Sequence, residues 1–321
     1  MCTAVSLSGK KHYFGRNLDL EYSYEEKVVV TPRNYPFSFR KAGELKSHYA
    51  MIGVAHMQAN YPLYYDAVNE KGLAIAGLNF PGSAHYMPFQ ADKTNITPFE
   101  IIPWILGQCA AVEEAKRLLE PVNMLDEPFS TELPLTPLHW MISDAKESIG
   151  VEPMRDGMHI IFNPVGVMTN EPPLEYHLMH LNDYIGISSA QAENRFSENL
   201  PLRVYSRGMS AMGLPGDYSS SSRFVRAAFV KENMPEEATD VGAFFEILES
   251  VAVPRGSVQV GDGKYQYTIY SSCCDAQKGI YYYTTNKKRT ICAADMHREN
   301  LDGMSPVAYP MTGEQEILWK N

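Results

Sequence analysis

Cysteine is scarce in this chain, positive charge is outnumbered and no hydrophobic run is long; each shortage closes off a class of protein. The five cysteines (Cys2, Cys109, Cys273, Cys274, Cys292) are odd in number and form no CxxC pair. That suits neither a disulfide framework nor a structural zinc site. Cys109, Cys273, Cys274 and Cys292 are expected to be small buried hydrophobes, with the adjacent Cys273 and Cys274 on a strand. A formal charge of -10 argues against nucleic acid as the main partner and against adsorption on anionic membranes. The most apolar long stretch, 98–111, carries Glu100, Pro103 and Gln108 and is too short to span a bilayer. Lys10 and Lys11 lead into His12, Tyr13 and Arg16 rather than an apolar core, so no signal peptide and a cytoplasmic protein are expected. No GxSxG, P-loop, GxGxxG or HExxH pattern occurs. The nine histidines lack metal spacing, and His139 and His159 are expected to be structural.

What is present is an ordinary globular composition: 321 residues, 45% apolar and 21% charged, enough for a sizeable core. Neither repeats nor low-complexity linkers interrupt it, and one layered domain, 1–321, is expected. Short β-branched or apolar runs at 3–7, 12–18, 27–31, 49–56 and 73–78 predict strands, with a turn at 8–11. Thr97-Pro98 predicts a helix start with Thr97 as the cap and Pro103 bending the helix. Its apolar stripe is Ile101, Ile102, Ile105 and Leu106, and an amphipathic helix follows at 112–119. Strands are predicted at 138–143, 148–152, 159–162 and 167–169, and a loop-rich region at 181–220. Helices at 221–232 and 240–253 precede strands at 265–270, 280–285 and 290–296. Blocks of strands and helices without βαβ alternation predict an α+β fold, antiparallel sheets covered by helices.

Cys2 directly follows the initiator methionine, whose removal is expected before so small a residue. The product would carry a thiol and a free α-amino group on one residue, both nucleophile and base. Position alone says little, because a cysteine near a chain start is commonplace. Gly15-Arg16-Asn17-Leu18-Asp19 lies one hairpin later, and antiparallel pairing would bring Arg16 and Asp19 beside residue 2. Arg16 would be a permanent cation favouring thiolate, and Asp19 would orient the amino group. The plain alternative is a surface ion pair.

These residues resemble the choloylglycine hydrolase family of N-terminal-nucleophile enzymes. The resemblance rests on Met1-Cys2-Thr3, Gly15-Arg16-Asn17-Leu18-Asp19, Asn69-Glu70-Lys71-Gly72-Leu73 and Gly77-Leu78-Asn79-Phe80. It continues through Leu138-His139-Trp140-Met141-Ile142-Ser143-Asp144, Thr169-Asn170, Leu214-Pro215-Gly216-Asp217-Tyr218, Ser222-Arg223-Phe224 and Lys278-Gly279-Ile280-Tyr281-Tyr282-Tyr283, in order to about residue 305. It implies a four-layer αββα sandwich and hydrolysis of an amide bond with no metal or organic cofactor. Cys2 would be the nucleophile, with Arg16 and Asp19 in the roles above. Asn170 would donate its side-chain amide to the oxyanion, Asn79 would assist, and Arg223 would support the ionised thiol.

Asparagine at position 79 resembles the bile salt hydrolase branch, where penicillin V acylases commonly have tyrosine. The segment at about 181–216 resembles an insertion that helps build a homotetramer in that branch. The implied substrates are glycine- or taurine-conjugated bile salts, with Leu18, Leu20, Tyr24, Phe129 and Leu133 lining an apolar pocket. The alternatives are a penicillin V acylase, an acylase for other N-acyl amides, or a non-catalytic binding protein on the same fold.

Overall fold

A computed structural model describes residues 1–8 and 11–321 of the chain. In chain order the elements begin β1 (Cys2–Leu7), β2 (Tyr13–Leu20), β3 (Lys27–Thr31), β4 (Phe37–Phe39), β5 (Gly43–Leu45), β6 (Met51–Gln58), β7 (Tyr61–Asn69) and β8 (Ala74–Asn79). They continue with β9 (Thr94–Ile96), α1 (Ile101–Gln108), α2 (Val112–Leu119), β10 (Val122–Met124), β11 (Leu138–Ser143), β12 (Ser148–Met154), β13 (Gly157–Phe162) and β14 (Val167–Met168). Then come α3 (Leu174–His180), α4 (Ser220–Glu232), α5 (Val241–Glu249), β15 (Val258–Gly261), β16 (Lys264–Asp275), β17 (Ile280–Thr285), β18 (Cys292–Asp295) and β19 (Val307–Pro310).

Two large sheets organise them. The first runs β14-β1-β2-β16-β17-β18, with β15 added to β16; the second runs β13-β12-β11-β8-β7-β6-β3-β19. Every pairing within the two is antiparallel, the ladder expected of strands joined by short turns. Because strand side chains alternate between faces, each sheet sends one set inward and the other toward helices. Cys2, Ala4, Phe14, Leu18 and Tyr270 meet Val28, Ile52, Ala76 and Met141 between the sheets. Val5, Tyr13 and Cys273 pack outward on Phe224, Phe244 and Leu248 of α4 and α5. The far face of the second sheet buries Ile101, Ile105, Val112 and Leu119 of α1 and α2. Four layers, αββα, result. Burying each such aliphatic or aromatic side chain contributes roughly 1.5–3 kcal/mol.

Gly15 lets β2 and β16 lie close: a Cβ there would sit 1.9 Å from the Ser272 carbonyl oxygen. Next to the site, β16 carries a bulge. Thr268 pairs with Asp19 and Tyr270 with Leu18, so Ile269 is the extra residue. A bulge re-aims the side chains around it.

Several expectations change. The first helix begins at Ile101 with Glu100 before it, so Thr97 is not its cap; residues 97–100 form a turn closed by Glu100 N–H on Thr97 O. Pro103 therefore falls in the first helical turn, where its missing N–H has no intrahelical role. The nine-residue strand β7 has no counterpart in the sequence reading. Its hairpin with β6 turns on Ala59 and Asn60, both at positive φ, without the Asn-Gly signature of such turns. Helix α3, too, was not foreseen. The turn expected at 8–11 includes Gly9 and Lys10, which lie outside the described residues. The short strands β4, β5, β9, β10, β15 and β19 likewise have no predicted counterpart, while the remaining strands and the helices at 220–232 and 241–249 follow the predicted blocks within a few residues. Among the described residues no helix is long and apolar enough to cross a membrane.

Candidate active site

Cys2 opens β1, and the β1–β2 register sets its surroundings: Cys2 opposes Leu18 and Ala4 opposes Arg16. Cys2, Arg16, Asp19 and Arg223 are all buried, which removes the surface-ion-pair reading. Alternation along β2 puts Arg16 and Leu18 on the face between the sheets and Asn17 and Asp19 on the helix face. The thiol is thus approached from two sides by different chemistry.

On the inter-sheet side, Arg16 is held by backbone. Its Nη1 donates to Tyr65 O at 3.1 Å and to Gly77 O, and Nε reaches Asn17 O at 3.4 Å. Nη2 is buried and makes no hydrogen bond among the described residues. Burial alone would weaken the guanidinium as a cation, but Cys2, Tyr270, Asp66 and Tyr281 around it outweigh that and raise its pKa. Asp66 is itself enclosed, accepting from Tyr270 at 2.6 Å and from Tyr281; burial pushes its carboxyl up, with Arg16 opposing.

On the helix side, Arg223 stands in the first turn of α4, whose Ser219 cap accepts from Ser222 N–H. A cation there opposes the helix dipole. Its hydrogen bonds offset that: Nη1 donates to Cys2 O at 2.5 Å and Thr3 Oγ1 at 2.7 Å, Nη2 to Asn170 Oδ1 at 2.7 Å, Nε to Tyr218 O at 3.1 Å. Burial lowers the Arg223 pKa, with Asp19 and Cys2 opposing. Asn170 follows β14, the neighbour of β1, so its side chain lies across the start of β1. Cys2 N–H donates to Asn170 Oδ1 at 2.8 Å, and Asn170 Nδ2 donates to Asn79 O at 2.7 Å. Asn79 ends β8 in the other sheet. One side chain, Asn170, therefore touches Cys2, Arg223 and Asn79.

Asp19 Oδ1 accepts from Thr268 Oγ1 at 2.6 Å, the contact the bulge permits, while Oδ2 is buried with no partner among the described residues. Burial pushes the Asp19 carboxyl up, against Arg223, the chain amino terminus, Thr268 and Arg16. The Met1 amino group donates to Asp19 O at 2.9 Å and Gln266 Oε1 at 3.3 Å, so Cys2 N is here a peptide nitrogen beside Asp19.

The sequence reading missed the residues that hold Asn170. Ser220 Oγ accepts from its N–H at 2.8 Å, and His177 Nε2 donates to its carbonyl at 2.9 Å. His177 stacks on Phe224 at 4.9 Å, and burial pushes its pKa down to about 4. Next door, Glu171 accepts from Ser83 N–H at 2.6 Å and Ser83 Oγ at 3.0 Å, tying the turn after β8 to the Asn170 strap. No local motif marks these residues; Ser220 and His177 are legible only once β14, α3 and α4 converge. His139 also serves the strap, 2.9 Å from Thr169 O and 3.0 Å from Glu152.

The five residues expected to wall a substrate pocket are less gathered. Leu18 is buried beside Cys2, with Leu20 partly buried against the same core. Tyr24 is exposed and stands edge-on to His56 at 6.4 Å. Phe129 packs on Tyr61 at 5.9 Å and Phe99 at 5.0 Å, so Tyr24 and Phe129 flank the β6–β7 hairpin. Leu133 closes a turn on Ser130. Among the described residues no group of three His, Cys, Asp or Glu side chains is placed to hold a metal ion.

A cysteine at the start of the inner strand of an αββα sandwich defines the N-terminal-nucleophile hydrolase class. The profile of the linear amide C–N hydrolases, choloylglycine hydrolase family, matches residues 2–309. The chain belongs to that family. It is similar to the bile salt hydrolase/transferase of Lactiplantibacillus plantarum, 51% identical over 324 residues and 100% of both chains. The bile salt hydrolase/transferase of Clostridium perfringens is 39% identical over 94% of each chain. The crystal structure of the C2A mutant of the conjugated bile acid hydrolase from Clostridium perfringens superposes with a TM-score of 0.95, at 38% identity and full coverage of both. A penicillin V acylase from Agrobacterium tumefaciens, at TM-score 0.76, 21% identity and 96% and 90% coverage, shares the fold.

Proposed function

We propose that this enzyme hydrolyses the amide bond of glycine- or taurine-conjugated bile salts, with Cys2 as nucleophile once Met1 is removed. The observation that carries the reading is full-length identity of 51% to a bile salt hydrolase/transferase in a chain whose buried Cys2 has Asn170, Arg223 and Arg16 around it. Met1 removal would place the Cys2 amino group where its peptide N–H now meets Asn170 Oδ1, beside Asp19 with its unpartnered Oδ2. The thiol sulfur attacks the amide carbon and its proton passes to that amino group. The developing oxyanion takes hydrogen bonds from Asn170 Nδ2 and the Asn79 backbone, a contribution of a few kcal/mol. Collapse breaks the C–N bond, and the amino group gives the proton to the departing amine. Water then attacks the thioester to release the bile acid. Interception of the same thioester by an amine would account for a transferase activity like that in the relatives' names.

Asn79 favours bile salts over penicillin V, and Leu18, Leu20, Tyr24, Phe129 and Leu133 are proposed to receive the steroid. We take residues 1–321 as one domain, cytoplasmic, assembling as a homotetramer through 181–216. In support, that segment exposes Ile185, Phe196, Leu202, Tyr205 and Met212, apolar side chains that an assembly interface would cover.

The test is amino-acid release from glycocholate, taurocholate and penicillin V in parallel, with mass spectrometry of the Cys2 peptide. Faster turnover of the bile salts and an acyl adduct on Cys2 are expected. Preference for penicillin V would sink the substrate assignment, and turnover by a Cys2→Ala variant would sink the mechanism.

A further inference from the structure

On the helix face of the first sheet lies an open cavity of about 490 Å³ whose lining does not include Cys2, within the size range of small-molecule sites. Its floor is Thr268 and Ser271 of β16, and its walls come from the end of α5, residues 252–255, and β17 with the residues after it. The floor hydroxyls are committed: Thr268 donates to Asp19 Oδ1 at 2.6 Å and Ser271 to Asn17 Oδ1 at 2.7 Å. Three charges line the cavity: Arg255, Arg289 and Glu249. Among the described residues none of the three makes an ion pair within 4.0 Å, with each other or with anything else. Arg255 is tethered at the mouth: Nη2 donates to Asn286 O at 2.7 Å and the guanidinium lies 5.9 Å from the Tyr267 ring, leaving further N–H groups unused. The Arg289 side chain makes no hydrogen bond among the described residues, although its backbone N–H is held by Gln315 at 2.7 Å. Glu316 of the C-terminal segment goes to Lys288 at 3.6 Å.

Two cations and one carboxylate, exposed around a polar space and unpaired with one another, suit a ligand of both signs. An acid group would take the guanidinium forks, and an ammonium would face Glu249. We propose that this cavity binds a small zwitterionic amino acid, an aminocarboxylate or aminosulfonate. Resting on the function proposed above, the released glycine or taurine is such a molecule. Its seat is one hydroxyl away from Asp19, and its occupancy is read out as non-competitive product inhibition.

The binding arm does not depend on catalysis. Glycine, taurine, acetate and ethanesulfonate are titrated into isotope-labelled Cys2→Ala protein while amide shifts are followed at Arg255, Thr268 and Asn286. Saturable shifts with glycine and taurine, at dissociation constants of about 1–10 mM, are expected. Arg255→Ala with Arg289→Ala should weaken both at least about tenfold. Glu249→Gln should weaken the amino acids and leave acetate and ethanesulfonate unchanged. Shifts absent at about 50 mM, shifts that survive the double arginine variant, or acetate binding as tightly as glycine would each overturn the site. With Cys2 intact, the double variant should keep the uninhibited wild-type rate and lose the non-competitive component; inhibition that persists in it refutes the link to product.

Discussion

The two sides of Cys2 are built differently. Between the sheets, Arg16 is gripped by carbonyls of β2, β7 and β8 and surrounded by Asp66, Tyr270 and Tyr281, so its charge is raised in stability. On the helix side, Arg223 has fewer anionic neighbours, and burial lowers its pKa; it grips Cys2, Thr3 and Asn170 directly. The inter-sheet cation is a fixed field; the helix-side cation is a mechanical clamp that also carries charge. The difference follows from what each rests on, a rigid ladder on one side and a convergence of loop, strand and helix on the other.

The comparison can be broken at several strengths. Cys2→Ser keeps both sides and removes only the thiol; kcat should fall by about 10³-fold or more, because a hydroxyl is far less ionised. Wild-type kcat within tenfold would refute the nucleophile.

Acid probes the two ends of the first sheet. Burial pushes His177, on the helix side, and His12, near Ser6 and Ser143, down to about 4 from 6.5. Both are neutral when folded, while the unfolded chain takes up protons below 6.5. Stability should therefore fall as pH drops from about 6.5 to about 4, by up to about 3 kcal/mol per histidine. His12→Gln should flatten the fall in Tm; an unchanged slope would show His12 is not buried neutral.

Arg223→Met should lower kcat by about 10²-fold, since Cys2 O loses the Arg223 donor, Asn170 Oδ1 keeps only its bond from Cys2 N–H, and the oxyanion amide loses its aim. Arg16→Met should leave Asn170 in place and act through charge, so its loss should vary with pH more steeply. Identical pH profiles for the two variants would erase the proposed distinction. His177→Phe, which keeps the stack on Phe224 but not the hydrogen bond to Asn170 O, should cost about tenfold in kcat with KM unchanged, an effect of about 1.4 kcal/mol. His177→Gln should recover most of it; if it does not, His177 is packing only. Finally, kcat/KM for an anionic conjugate should change less than about twofold between low and physiological salt, because screening over about 8–10 Å mutes the acidic surface. A steep salt dependence would mean long-range steering.

Much of this was legible along the chain. Apolar alternation located most strands of both sheets, and the hairpin logic brought Arg16 and Asp19 to Cys2, as the β1–β2 register has it. Strand β7 was hidden because Pro62 interrupts its run and Ala59-Asn60 is an uncommon two-residue turn. The helix start at Ile101 was displaced because Thr97 and Pro98 close a turn instead of a cap. His177, Ser220, Glu171 and Thr268 were invisible because each acts on a residue 7 to 249 positions away or through a bulge, with no motif of its own.

By itself the sequence determined the layered α+β architecture and the position of Cys2 on the first strand. It also paired Cys2 with Arg16 and Asp19, since these depend on alternation and on contacts between neighbours in the chain. Tertiary structure alone decided that Asn170 would join Cys2, Arg223 and Asn79 across both sheets. It also decided that Arg16 would be shut away from water and that Asp19 would be held by Thr268. Those outcomes need distant segments packed closely enough to exclude solvent, and no local pattern encodes which buried donor will meet which acceptor.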